Sequence, residues 1–324
     1  MRFSRDVMSI DADKISREIE EFIRDQLRKF FRKRGIVIGL SGGIDSAVAG
    51  ALSVRAVGPT RVYGVLLPER DSSPKSREYG RKMAETLGIE YSAVEITPML
   101  ESFGVYARRD AVVKRYFPDA GGDYKFRLTL PQDLLDRDRI NAYSLEVRKK
   151  DGSVVTARLS HGDYLEMMAA NDIKQRTRMT VLYYEAERRN YIVCGTTNKS
   201  ETDQGFFVKF GDGGVDIEPL TPLYKNQVLQ LGKHLGVPEE ILARTPSPDT
   251  YSFEVSDKDF YFCLPYDTVD MILYAQENSI DKKETAKALG LGMEELDRAW
   301  KDLERKREVT EHLRSMPPVP DLRR

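Results

Sequence analysis

Residues 11–33 place Ile15, Ile19, Phe22, Ile23, Leu27 and Phe30 on one helical face, which predicts an amphipathic helix leading into a strand. Residues 36–40, four apolar side chains and a glycine, read as a strand covered on both faces of a parallel sheet. The pattern then alternates. A helix is predicted over 47–54, a strand over 61–67 closed by Pro68, a helix over 72–87 with Gly88 as its C-cap, and a strand over 90–96. Alternation of this kind predicts right-handed βαβ units and a doubly wound α/β fold, a parallel sheet with helices on both faces. From 104 to 165 the rhythm stops. Residues 119–123 and 130–134 read as loops, while 143–149 and 153–159 flank Asp151-Gly152, a hairpin signal. This stretch is expected to be an insertion with its own small antiparallel element within a single domain spanning 1–324. Its role lies between plain packing and a lid, a substrate-binding surface or a dimer contact. The alternation resumes with a helix over 164–188, a strand over 191–195 and a helix from Pro222 to Leu235 stopped by Gly236. Helices over 266–277, 282–289 and 293–314 end the chain. Residues 281–290 faintly suggest a helix-turn-helix, but no basic recognition helix accompanies them, so a C-terminal cap on the core is expected.

Charge narrows the partners. Over 324 residues the formal net charge is −1, so no global field favours nucleic acid or an anionic membrane. No apolar run reaches membrane-spanning length, and the N-terminus is not a signal peptide. Cys194 and Cys263 sit among apolar residues without metal-ligand spacing, as expected of reduced, buried thiols in a cytoplasmic protein. Three histidines leave little material for a zinc site or a histidine-based triad.

The chemistry begins where the first strand ends, at Leu40-Ser-Gly-Gly-Ile-Asp-Ser46. Glycines in a strand-to-helix turn let backbone N–H groups approach an anion, and the helix N-terminus adds partial positive charge. Ser41 and Ser46 offer hydroxyl donors. Asp45 repels a phosphate unless a divalent cation bridges the two, which points to Mg²⁺. The loop lacks the Walker pattern. It resembles the pyrophosphatase loop of N-type ATP pyrophosphatases, which cut ATP between the α- and β-phosphates. Gly195-Thr-Thr-Asn-Lys-Ser-Glu201 leaves the carboxyl end of a later strand, where ligands of doubly wound sheets bind. Glu201 is either an exposed acid favoured at a helix start or a second Mg²⁺ carboxylate beside Asp45. Lys225 stands in the first turn of a helix, where a cation is unfavourable unless it serves an anion. Arg176 and Arg178, two apart on one helix, cannot both lie at the centre of one exposed stripe.

Taken with Gly205–Asp216 and Leu223-Tyr-Lys225, these motifs resemble the NAD synthetase family, over most of the chain outside the insertion. The resemblance implies an adenine-nucleotide alpha-hydrolase-like fold and an Mg²⁺- and ATP-dependent amide ligase. It implies that Asp45 and Glu201 hold Mg²⁺, and that Ser41, Gly42, Gly43, Asp45, Ser46, Thr196, Lys225 and Ser247 contact ATP. Arg176, Lys209 and Asp216 would contact deamido-NAD, and Pro68-Glu-Arg-Asp-Ser-Ser73 would lie near the adenine. It further implies a homodimer with the dinucleotide at the subunit interface. No side-chain nucleophile is required. Three departures bear on the acceptor: the insertion itself, Ser256–Cys263 in place of an acidic segment, and Leu313 where the family has a lysine. Deamido-NAD is the expected carboxylate, with another small carboxylate as the alternative. With the first sheet strand beginning at Ile36, no nitrilase-like glutaminase domain is expected, and ammonia is the expected nitrogen donor.

Overall fold

The computed structural model describes residues 3–120, 124–138 and 140–320. Residues 121–123 of the glycine-rich loop expected over 119–123 lie outside that range.

A four-stranded parallel sheet is formed by β1 (Ile36–Gly39), β2 (Val62–Leu66), β3 (Glu90–Ala93) and a late strand at Ile192–Cys194, in the order β3-β2-β1-late strand. Ile36 stands beside Val62 on one side and Ile192 on the other, so β1 is central. Between these strands run α1 (Ala12–Asp25), α2 (Ile44–Val57), α3 (Pro74–Leu87), α4 (Thr97–Ser102), α5 (Val105–Tyr116) and α6 (His161–Arg189). Strand periodicity divides the core. Ile36 and Ile38 pack with Ile23 and Leu27 at the first helix and with Leu52 of α2. Val37, Val65 and Val193 pack on the opposite face, against Leu100 of α4, Tyr106 of α5 and Val181 of α6. The fold is therefore the doubly wound α/β arrangement, with helices on both faces.

A second, antiparallel sheet joins β4 (Lys125–Thr129), β5 (Ser144–Arg148) and β6 (Val154–Arg158) in that order. The late strand of the first sheet is thus β7. The β5–β6 hairpin lies where Asp151-Gly152 predicts it. β4 and α5 had no counterpart in the sequence reading. β4 pairs with β5 across a long loop, and α5 mixes its apolar positions with five charged residues, so neither shows a clean local period. Phe126, Leu128, Leu145 and Val147 turn inward onto Val112 of α5, Met167 of α6 and Tyr251.

After β7 come α7 (Lys199–Gln204), α8 (Lys225–His234), α9 (Glu239–Leu242), α10 (Tyr266–Glu277), α11 (Lys282–Leu289), α12 (Met293–Val309) and α13 (Glu311–Arg314). Leu273, Ala286, Leu296 and Trp300 of α10–α12 form one apolar cluster with Phe3 and Met8, the core cap expected of this region. Boundaries moved where caps decide them. The helix predicted over 11–33 closes at Asp25 and continues as a wider turn to Phe30. The one predicted from residue 164 begins at His161, because the Ser160 hydroxyl accepts the Asp163 N–H at 3.2 Å. The last predicted helix breaks at Thr310. Among the described residues no helix is long and apolar enough to cross a membrane. Cys194 and Cys263 are both buried.

Candidate active site

The turn after β1 has one conformation available to it. Gly42 sits at φ +76°, and a Cβ there would stand 2.5 Å from the Ser76 carbonyl oxygen. Both serine hydroxyls brace the loop. Ser46 Oγ donates to the Gly43 carbonyl at 3.0 Å and lies 3.1 Å from Ser41 Oγ, which accepts the Gly43 N–H at 3.3 Å. α2 then starts at Ile44 with Gly43 as N-cap and no side-chain cap. Its first N–H groups are left for an anion.

Asp45 projects from the first turn of α2 toward α7 and α8. Its Oδ2 accepts from Lys225 Nζ at 2.6 Å and its Oδ1 from Asn198 Nδ2 at 2.9 Å. The same ammonium donates to Glu201 Oε1 at 3.0 Å. Two carboxylates from different elements thus share one cation whose side chain is 3% exposed. Asn198 is the hinge of the arrangement. Its side chain also accepts the Glu201 N–H at 3.1 Å, in a capping box that starts α7 and aims Glu201 inward. Lys225 opens α8, and its N–H donates to Ser200 Oγ at 3.2 Å. Ser200 in turn donates to buried Asp270 at 2.6 Å, fixing three helices together.

Negative charge exceeds positive here. Burial pushes the Glu201 carboxyl up to about 8, with neighbouring Asp45 adding to the rise against the pull of Lys225. Burial would depress Lys225, but Asp45 and Glu201 outweigh it and raise it above its usual range. Asp257, which accepts from the Tyr266 hydroxyl at 3.0 Å, is pushed to about 6 by burial and also faces this ammonium. Sequence reasoning missed Asn198, Asp257 and Tyr266. The spacing Asn198-x-x-Glu201 is itself a helix-start signature that could have found the first.

Beside the loop a cavity opens at the carboxyl ends of the strands, lined by Ser41, Leu66, Pro68, Arg178, Thr196 and Asp249. Ser41 and Thr196 therefore share one cavity with the loop after β2. Ser247 is exposed and lines a neighbouring polar cavity, which shares Ser72 and Asp249 with the first. Arg178 turns into the first cavity while Arg176 stays exposed, as their spacing requires. Arg176 Nε donates to the Lys209 carbonyl at 3.4 Å. Lys209 Nζ donates to the carbonyls of His312 and Ser315 at 2.8 and 2.9 Å, which holds the chain's last helical turn beside it. Asp216 stands apart from these two. It accepts from the Tyr183 hydroxyl at 3.1 Å and the Val193 N–H at 2.8 Å, anchoring β7.

A family model described as NAD synthase matches residues 15–117 and 134–317. The chain belongs to the NAD synthase family. The NH3-dependent NAD+ synthetase of Rhizobium meliloti (strain 1021) is 44% identical over 317 residues, covering 98% of this chain and 94% of the relative. That of Methanocaldococcus jannaschii is 32% identical over 310 residues, covering 96% and 97%. Among solved structures, NMN synthetase from Francisella tularensis superposes with a TM-score of 0.67 at 24% identity, covering 97% of this chain and 100% of that one. NH3-dependent NAD synthetase from Campylobacter jejuni gives 0.64 at 21%, with coverage of 97% and 100%. At these identities the two structures speak for the fold.

Glu218 adds a local consequence. Its carboxyl carbon lies 2.5 Å from where a Cβ on Gly195 would stand, so any larger residue there would have to push the Glu218 carboxyl aside. Burial pushes this carboxyl from 4.5 to about 8. The fold therefore favours the neutral acid. Its stabilising share is complete below the unfolded value and is lost as pH rises toward 8. Glu218→Gln mimics the neutral form. Its melting temperature should match the parent's at pH 5 and exceed it at pH 9; parallel melting curves across that range would contradict the assignment.

Proposed function

We infer that this chain is an ammonia-dependent NAD+ synthetase. It adenylates the carboxylate of deamido-NAD with ATP, releases pyrophosphate, and lets ammonia displace AMP to form the amide. The observation that carries the reading is the Asp45–Lys225–Glu201 cluster at the mouth of an uncapped helix N-terminus, in a chain of this family.

The cluster also suits Mg²⁺. Among the described residues no group of three or more His, Cys, Asp or Glu side chains is gathered for a metal. A site completed by substrate phosphates and water does not need one, since Mg²⁺ on phosphates takes one or two protein carboxylates. Asp45 and Glu201 reach the same ammonium, carry excess negative charge and come from the first turns of two separate helices, α2 and α7. They fit as those carboxylates. Bound there, the ion would neutralise charge on the phosphates and on the departing pyrophosphate.

The chain's own residues do the rest by position. The N–H groups of Gly42 and of the α2 start face the phosphate oxygens, while Ser41 and Ser46 brace the turn and Ser41 holds the Gly43 N–H. Lys225 supplies a fixed cation for charge developing on the leaving group. The cavity between Ser41 and Thr196 seats the nucleoside, and Ser247 lies at its outer edge. Arg176 and Lys209 offer cations to the dinucleotide, while Asp216 holds the strand beneath them. Acyl transfer then needs only the two substrates held in line, with no covalent enzyme intermediate.

We place 104–165 as a subregion inserted in a single synthetase domain spanning 1–324, and the working unit as a homodimer. The enzyme acts in the cytoplasm, where ATP and reduced thiols are abundant. Neither nucleic acid nor a membrane enters the scheme, in keeping with a net charge of −1.

The test is product formation. The full chain with ATP, Mg²⁺, deamido-NAD and ammonium should yield NAD+, AMP and pyrophosphate in equal amounts. Glutamine, with free ammonia scavenged, should yield almost none. If Mg²⁺-ATP binds and no NAD+ forms, a different small carboxylate is the acceptor.

A further inference from the structure

A second ionic cluster lies behind the cavity wall, and the reaction described above does not use it. Lys174, in the middle of α6, donates from Nζ to Glu69 Oε1 at 2.8 Å, to Asp71 Oδ2 at 2.9 Å and to the Thr250 carbonyl at 2.7 Å. An ammonium has three protons, and all three are engaged. The side chains of Lys174, Glu69 and Asp71 are 2%, 0% and 5% exposed. The second oxygen of Glu69 accepts from the Tyr106 hydroxyl at 2.8 Å and from the Asp71 N–H at 2.9 Å. Arg109 completes the group, donating to Asp71 Oδ2 at 2.5 Å. Two acids and two bases are buried together, and Arg109 also pairs at 2.6 Å with the partly exposed Asp110.

Such a cluster is a poor device for stability, because desolvating four charges offsets most of what their attraction returns. What it does well is fix geometry. Three separate segments meet at Lys174, and each also walls the cavity beside Ser41. Pro68 and Ser72 come from the loop after β2, Gln175 and Arg178 from α6, and Pro248 and Asp249 from the segment before Thr250. Lys174 is the immediate neighbour of Gln175. Arg109 and Tyr106 extend the cluster into α5, the first helix of the inserted stretch.

We propose that Lys174 is a positioning residue for the nucleoside of ATP, strapping the three cavity walls at one separation, with Arg109 coupling the inserted stretch to the same strap. The proposal rests on the ATP-dependent reading above. The phosphate loop runs between β1 and α2, neither of which contributes a residue to this cluster. Loss of the strap therefore weakens nucleotide binding while the chemistry of bound ATP proceeds.

The experiment is direct titration of full-length Lys174→Met and Lys174→Arg with Mg²⁺-ATP by calorimetry, beside steady-state kinetics and thermal melts. Because Lys174→Met leaves an unbalanced buried charge, the double variant Lys174→Met/Glu69→Gln, which keeps Asp71 paired with Arg109, serves as its folded counterpart. The Kd for ATP should rise at least tenfold in the methionine variants and recover in part with arginine. The KM for ammonia should stay within twofold and kcat at saturating ATP within threefold. A merely structural lysine would lower the melting temperature and the active fraction, cutting kcat with the ATP Kd unchanged, and that result overturns the proposal. If the parent protein fails to bind ATP, the functional reading falls and takes this one with it.

Discussion

Asp45→Asn and Glu201→Gln are each expected to lower kcat/KM for Mg²⁺-ATP by about a thousandfold, roughly 4 kcal/mol of transition-state stabilisation. The fold should survive both. Either change leaves the buried Lys225 ammonium hydrogen-bonded to one carboxylate with Asp257 still nearby, and an asparagine at 45 still presents an oxygen to Asn198. The two losses should not add. On the proposed reading both side chains serve one ion, so the double variant should fall little below the worse single one. The check is turnover at saturating Mg²⁺ together with far-ultraviolet circular dichroism. Near-native rates in either variant at high Mg²⁺ would remove Asp45 and Glu201 as its carboxylates. Additive losses would mean that they act on different groups.

These residues were legible in the sequence because their signals are local. A run of apolar residues, a glycine-forced turn and a helix sit within 36–57 and need no partner to be recognised. Lys225 stood out as a cation at the wrong end of a helix, and the structure shows two half-buried carboxylates, Asp45 and Glu201, beside it. The rest depends on distance in the chain. Asp257 becomes part of the site only because its N–H donates to the Pro246 carbonyl at 3.0 Å and its carboxylate accepts from the Tyr266 hydroxyl at 3.0 Å, from segments that share no period. Lys174 lies about 100 residues from the acids it pairs with, and nothing in its own helix marks it as buried. β4 was unreadable for the same reason, since its partner lies beyond a long loop. Asp216 shows the opposite limit. Matching its residue type to a family pattern suggests a ligand contact, and the structure adds a role the sequence did not show, each carboxylate oxygen accepting one bond from the framework of β7.

Lys225→Met should be the most damaging single change. The ammonium stands among Asp45, Glu201 and Asp257, and its removal leaves three carboxylates in a buried pocket without a cation. Breaking a buried pair by deleting one partner costs about 3–5 kcal/mol. That is enough to threaten a domain whose total stability is on the order of 5–15 kcal/mol. The loss should be greatest at high pH. The Glu201 carboxyl already sits near 8 with the lysine present, and without it burial and Asp45 act unopposed. More protons are then bound in the folded state than in the unfolded one across neutral pH, so stability falls as pH rises. Acid should therefore rescue the variant in part. Mg²⁺ should rescue it further, because a divalent cation on Asp45 and Glu201 replaces the missing charge and binds only the folded chain. Activity should not return with stability. With Mg²⁺ restoring the fold, turnover is still expected to be down at least a hundredfold, since the cation proposed to face the leaving pyrophosphate is gone. The measurements are chemical denaturation at pH 6 and pH 8.5, with and without Mg²⁺, alongside single-turnover formation of AMP. A variant as stable as the parent at pH 8.5 without Mg²⁺ would show that the three carboxylates do not depend on Lys225. Full turnover in the Mg²⁺-stabilised variant would show that Lys225 holds the site together but takes no part in adenylation.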